Sequence, residues 1–181
     1  MIILNKKEFR KKYKEIRKNL SGSITEKFFY EETYIKSKSV FTFVNYDSEI
    51  NTTNLINKAL SDNKIVAVPY MTGKAHEMVF IRIKSINELK PNKIGILEPE
   101  YNIDNVIKSD KYTLIIVPGL VFDNDFYRIG YGGGFYDKYI DENEYMATVG
   151  VCFDEQIIEN VPRDKYDRTV DIIVTNSRIW R

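Results

Sequence analysis

From Arg128 to Lys138 the sequence reads Arg-Ile-Gly-Tyr-Gly-Gly-Gly-Phe-Tyr-Asp-Lys, and four of the nine glycines of the chain fall between Gly130 and Gly134. Glycine costs roughly 0.5–1 kcal/mol relative to alanine inside a helix or strand, so four together mark backbone that takes positive φ or is approached closely. An apolar run rich in β-branched residues, Tyr112 to Val117, ends in Pro118-Gly119 ahead of them, and Phe135 to Ile140 can open a helix after them. A strand, a glycine-rich loop and a helix start put backbone N–H groups and the positive end of a helix dipole at one point, which is the chemistry of anion binding. Arg128 and Lys138 flank it. The stretch is neither a P-loop, since no Gly-Lys-Ser/Thr follows, nor Gly-x-Gly-x-x-Gly, since position 135 is Phe. Composition alone also allows a flexible surface turn, but Gly/Ser linkers lack the three aromatics and the arginine packed around these glycines.

Further groups could serve the same chemistry. Residues 1–18 hold eight Lys/Arg against two Glu, while the remainder of the chain is net acidic. Lys6 and Arg10, four apart, share a helix face, and Lys7 stands three from Arg10, so these ends can reach a phosphate. The same asymmetry is open to a nucleic-acid partner or to a merely solvated helix face. Glu49, in a loop after a strand, is a candidate binding carboxylate or a first-turn helix charge. His76 is the only histidine, which argues against a Ser-His-Asp triad or a histidine-rich metal site. Cys152, flanked by Val151 and Phe153, reads as a buried small hydrophobe.

The elements that must position these groups follow from periodicity. Phe9, Tyr13, Ile16 and Leu20 form one apolar stripe, predicting a helix over about 5–20. Ser23-Ile24-Thr25-Glu26 has capping-box spacing and predicts a second helix to about 36, with Ile24, Phe28 and Ile35 inward. A strand over 39–45, a helix over 52–60 and a strand over 64–69 make a parallel crossover unit. Residues 78–83 are a strand whose direction the sequence leaves open. Residues 84–111, with Pro91, Gly95 and Pro99, form a long and partly irregular connection containing one short helix near 86–89. Two final strands are expected at 147–153 and 171–175. The sum, over 1–181, is a single α/β domain with a mostly parallel sheet and helices on both faces, and such sheets bind ligands beyond the carboxyl ends of their strands.

With 43% apolar and 29% charged residues the composition is that of a globular protein, and no apolar run approaches the ~20 residues of a membrane span. Met1-Ile2-Ile3-Leu4 is too short for the apolar region of a signal peptide, and a lone cysteine fits a reducing compartment, so a cytoplasmic location is expected.

The motifs together resemble those of the 5-formyltetrahydrofolate cyclo-ligase (methenyltetrahydrofolate synthetase) family. The resemblance rests on Pro-Gly-Leu-Val-Phe-Asp from Pro118, Tyr-Arg-Ile-Gly-Tyr-Gly-Gly-Gly-Phe-Tyr-Asp-Lys-Tyr from Tyr127, Lys-Lys-Glu-Phe-Arg-Lys from Lys6, and Glu49-Ile50-Asn51-Thr52. Met78-Val79-Phe80, Gly95-Ile96-Leu97-Glu98-Pro99 and Val170-Asp171-Ile172-Ile173-Val174-Thr175 extend it over nearly the whole chain. It implies ATP- and Mg²⁺-dependent conversion of 5-formyltetrahydrofolate to 5,10-methenyltetrahydrofolate. It implies that Lys6, Lys7, Arg10, Arg128 and the loop Gly130, Tyr131, Gly132, Gly133, Gly134, Phe135 and Tyr136 bind ATP. Val44, Glu49 and Tyr131 to Phe135 would contact the folate, with Met78 and Tyr136 as further walls, and Asp137, with Asp171 second, would carry Mg²⁺. The implied partners are small molecules, with no nucleic acid and no membrane, and the enzyme would be a monomer or small homo-oligomer. Phe126 stands where the family often has glycine, which opens a different path for the loop before Arg128. Tyr166 stands where it often has histidine, and no role attaches to that segment. The alternatives are another ATP-dependent ligase or kinase on this scaffold, or a nucleotide- or RNA-binding domain stacking bases on tyrosines.

Overall fold

The computed structural model describes residues 5–181, and the apolar start Met1–Leu4 lies outside the described residues. Asn5 caps α1 (Lys6–Arg17): its side chain accepts from the N–H groups of Lys7 and Glu8, and the Glu8 carboxylate accepts from the Asn5 N–H. The helix ends at Arg17, one turn short of the apolar stripe. The helix expected over 23–36 is broken. Residues 26–30 form a 3₁₀ turn, Glu31 is extended, and α2 (Glu32–Lys36) follows as a short separate helix. Ser23 pairs with Asn51 in place of capping a helix, and Ile35, expected inward, is 62% exposed.

The chain continues through β1 (Ser39–Phe41), α3 (Thr53–Ser61), β2 (Ile65–Met71) and β3 (Met78–Ile83). The irregular connection contributes a 3₁₀ turn at Ile86–Glu88, the hairpin of β4 (Lys90–Pro91) and β5 (Leu97–Glu98), and β6 (Val106–Ile107). Then come β7 (Thr113–Pro118), β8 (Val121–Asp123), β9 (Arg128–Ile129) and α4 (Phe135–Glu142). The last elements are β10 (Ala147–Val151), β11 (Ile157–Ile158), β12 (Ile172–Val174) and β13 (Ile179–Trp180). Eight strands form one sheet in the order β13-β12-β10-β7-β1-β2-β3-β6. Its centre, β12 to β2, is parallel throughout, whereas β3 runs antiparallel to β2, and β13 antiparallel to β12.

A sheet covered on both sides buries every residue of its middle strands, and β7 does so up to Val117. Leu114 and Ile116 face a core built with α3 and the 24–34 segment, and Ile115 and Val117 face one built with Tyr139 and Ile140 of α4. The fold is thus a mixed α/β domain with a large, mostly parallel sheet and helices on both faces. α1 stands apart from both layers. Its Tyr13 packs with Leu120, Val121, Ile129 and Val161 on the small sheet β11-β8-β9. From β1 the chain moves to one side, to β2, and returns from β6 to β7 on the other side of β1. The carboxyl ends of β1 and β7 therefore diverge into a crevice at the topological switch point.

Candidate functional site

That crevice is a cleft of about 660 Å³, with Phe43 and Val44 after β1 and Pro118 at the end of β7 among its walls. The small sheet carries α1 over the crevice. Residues 6, 10, 14 and 17 lie along one stripe of a 3.6-residue helix, and Lys6, Arg10, Lys14 and Arg17 all line the cleft. Lys7, about 100° round the helix from Lys6, is exposed and does not line it. The stripe that reaches the cleft is basic, and the stripe beside it, Phe9, Tyr13 and Ile16, holds the helix to its support.

Gly130 to Asp137 form another wall. The Arg10 Nε–H donates to the Gly130 carbonyl at 2.9 Å, tying helix to loop. Gly132 has φ of 101°, and a Cβ there would stand 3.2 Å from the Arg10 guanidinium carbon. Gly134 caps α4 in the left-handed conformation, with φ of 67°. Both positions favour glycine, whereas at Gly130 a Cβ would meet nothing and φ lies outside the left-handed region. Gly132→Ala is therefore expected to cost about 1–2 kcal/mol and Gly130→Ala about zero, measured by chemical denaturation. His76, in the turn between β2 and β3, packs its Nδ1 against the Gly133 carbonyl, a contact nothing in its sequence neighbourhood announces.

Charge is arranged in three groups. Partial burial opposes the Lys6 ammonium, but its hydrogen bonds to Asp164 and Asp167 outweigh this and hold its pKa above the ordinary lysine value. The Arg128 side chain is 4% exposed and donates to Asp137 Oδ1 at 3.0 Å and to the Arg168 carbonyl at 3.2 Å. The Arg168 N–H donates to the same Asp137 oxygen at 3.2 Å. The 164–168 turn, given no role from sequence, thus contacts Lys6, Arg128 and Asp137 together. Glu49, 10% exposed, accepts from the Tyr46 N–H at 2.9 Å and from the Tyr131 hydroxyl, with Arg17 NH1 at 3.9 Å. Burial raises the Glu49 pKa against the opposing effects of these donors and of Arg17. Burial, then the Glu49 charge, pushes the Tyr131 hydroxyl well up. Arg128 Nε and the Tyr136 hydroxyl are buried with no hydrogen-bond partner, and both residues line the cleft.

Lys6, Arg10, Arg128 and the whole loop from Gly130 to Asp137 are thus brought together with Val44 and Glu49. Met78 is not: it is 6% exposed in the core beside Phe41 and Phe80, while its cross-strand partner Met71 lines the cleft. Asp171 precedes β12, at the amino end of the strands, and accepts from the N–H and hydroxyl of Thr148 at 2.7 Å each. It stands at the opposite end of the strands from the cleft and does not line it. Lys138 pairs with Glu142 outside the cleft, and the Cys152 thiol is buried with its pKa pushed up. Phe126 itself takes the left-handed conformation, with φ of 68°, that glycine would adopt without strain. Sequence reasoning missed Lys14 and Arg17, although both continue the Lys6–Arg10 spacing.

A family model described as the 5-formyltetrahydrofolate cyclo-ligase family matches residues 4–176. A 5-formyltetrahydrofolate cyclo-ligase of Haemophilus influenzae is 29% identical over 181 residues, covering 93% of this chain and 97% of that protein. A probable 5-formyltetrahydrofolate cyclo-ligase of Schizosaccharomyces pombe is 32% identical over 161 residues, covering 81% of this chain and 78% of that one. Among solved structures, the NMR structure of Aquifex aeolicus 5,10-methenyltetrahydrofolate synthetase superposes with a TM-score of 0.79 at 29% identity, covering 97% of this chain and 92% of that one.

Proposed function

The chain belongs to the 5-formyltetrahydrofolate cyclo-ligase family, and from that premise we propose that the cleft binds ATP and 5-formyltetrahydrofolate together and closes the folate's 5,10-methenyl bridge with release of ADP and phosphate. The observation that carries this reading is that phosphate-type and heterocycle-type groups line one volume. Lys6, Arg10 and the glycine loop lie on one side, and Glu49, Val44 and Tyr131 on another.

In this reading Lys6, Arg10 and Arg128 neutralise the nucleotide phosphates, and the backbone N–H groups of the glycine loop and the α4 N-terminus receive their oxygens. The formyl oxygen attacks the γ-phosphorus and ADP leaves. N10 then attacks the activated formyl carbon, and the C–O bond breaks to release phosphate, which takes up the proton lost from N10. Such phosphoryl transfer depends on positioning and charge neutralisation, which suits a site with no triad. Mg²⁺ fits the donor set at Asp137. Oδ1 is engaged by Arg128 and Arg168, Oδ2 has no hydrogen-bond partner among the described residues, and the side chain is 27% exposed. No three-carboxylate cluster is present among the described residues, and none is needed, since Mg²⁺ at phosphates takes one or two carboxylates and keeps several waters. When bound there it would offset phosphate charge and orient the γ-phosphoryl group. Asp137 would hold it, and Arg128 would keep the carboxylate aimed.

Purified protein incubated with 5-formyltetrahydrofolate, ATP and Mg²⁺ is expected to develop the near-ultraviolet absorbance of the methenyl product, and to fail when any component is omitted. Absence of an ATP-dependent signal rejects the reading.

A further inference from the structure

Arg17 is the only basic side chain of α1 that is buried, at 3% exposure. A buried guanidinium is costly unless its partners compensate, and each partner of Arg17 leads to the same place. Its Nε–H donates to the Ser48 hydroxyl at 3.1 Å, its NH1 lies 3.9 Å from Glu49 Oε1, and its guanidinium carbon sits 5.6 Å from the centre of the Tyr131 ring. Tyr131 in turn donates its hydroxyl to Glu49 Oε1, and the Tyr46 N–H donates to Oε2. Each carboxylate oxygen has a second lone pair, so Glu49 is held at both oxygens and can still accept N–H donors from a ligand.

We propose that Arg17 is a positioning residue for the heterocycle end of the cleft, holding Glu49 as an aimed, ionised acceptor for paired N–H donors of the reduced pterin and pinning Tyr131 beside it. The inference rests on the folate reading of the site. Its distinguishing feature is direction: Arg17 shares a helix with the phosphate-binding residues Lys6 and Arg10 but acts on the other substrate, through Glu49.

The charged and titratable groups around Glu49 are Arg17 from α1, Tyr131 and Tyr136 from the glycine loop and α4, and Asp47 beside it in its own loop. Glu49 can accept at both oxygens only when ionised, so folate affinity falls as pH drops through its pKa, which burial already raises. Removing Arg17 takes away a cation that favours the ionised form. The loss of affinity then begins at higher pH.

The test measures 5-formyltetrahydrofolate binding by calorimetry across pH, with steady-state KM values for both substrates, in wild type, R17M, R17K, E49Q and R17M/E49Q. R17M is expected to weaken folate binding by about tenfold, the size of one lost charge-assisted contact, and to leave the ATP KM within about twofold. Its acid limb should move to higher pH, R17K should recover part of the loss, and R17M should add less than about twofold in the E49Q background. Additive losses, unchanged folate affinity, or a change in ATP KM alone would overturn the proposal. Should R17M not fold, S48A removes the Nε partner, and a smaller folate-specific loss is then required. Wild type that binds folate without turnover defeats the reaction reading and leaves the Arg17 proposal to be decided by the calorimetric folate affinities across pH. Wild type that binds no folate defeats both.

Discussion

Asp137→Asn is expected to lower ATP-dependent turnover by about 100-fold or more while the protein stays folded, because a cation held opposite a transferring phosphoryl group contributes on that scale. Asparagine keeps a carbonyl oxygen where Oδ1 accepts from Arg128 and from the Arg168 N–H. The loss in stability is then about 1 kcal/mol, the difference between a charge-assisted and a neutral hydrogen bond. What disappears is the negative charge and the second oxygen's capacity as a hard ligand. Turnover measured against Mg²⁺ concentration separates the two roles of this carboxylate. If Asp137 holds the metal, the variant needs far more Mg²⁺ for half-maximal rate. If it serves only as the counter-charge of Arg128, the Mg²⁺ dependence is unchanged and the rate falls by a constant factor. Full activity in the variant would remove Asp137 from the site.

The parallel centre of the sheet and the convergence of Glu49 with the glycine loop were legible because strand–helix–strand order dictates a parallel crossover, and crossovers place loops at one edge. The direction of β3 was not, because an alternating or continuous apolar run carries no sign. The apparent capping box at Ser23 is overridden by tertiary pairing with Asn51, which draws that segment out of helical geometry. Lys7 and Arg17 show the limit of reading charge by composition. One residue of displacement turns Lys7 to solvent, and Arg17 looks like one more solvated cation until the loop at Ser48 closes over it. Asp171 lies outside the cleft, as the strand rule could have told, since it precedes its strand and the cleft lies after the strands. Phe126 stands out in the sequence as an unusual position, but side-chain type alone does not tell that the backbone accepts left-handed strain there.

What holds Phe126 in that conformation is Asp123, and its removal should damage the fold severely. Asp123 is fully buried. Its Oδ1 accepts from the N–H groups of Asp125 at 3.0 Å and Tyr127 at 2.9 Å, and its Oδ2 accepts from the Val161 N–H and the Arg163 guanidinium, each at 3.0 Å. One carboxylate therefore closes the turn from β8 to β9 and fastens the segment before the 164–168 turn. Left-handed φ costs a non-glycine residue about 1–2 kcal/mol, and the bonds on either side of Phe126 oppose its relaxation. Asp123→Ala leaves two N–H groups in that turn and one at Val161 without an acceptor, at about 1–3 kcal/mol for each one that stays buried. Partial solvation and the 34% exposure of Arg163 reduce the sum, so a loss of about 3–5 kcal/mol is expected, with a fall in Tm of about 10 °C for a chain of this size. Asp123→Asn, keeping one acceptor oxygen, should lose about half as much. Turnover ought to fall further than the folded fraction does, because the released turn carries Arg128. Equal losses of turnover and folded protein would show that Arg128 keeps its place without Asp123.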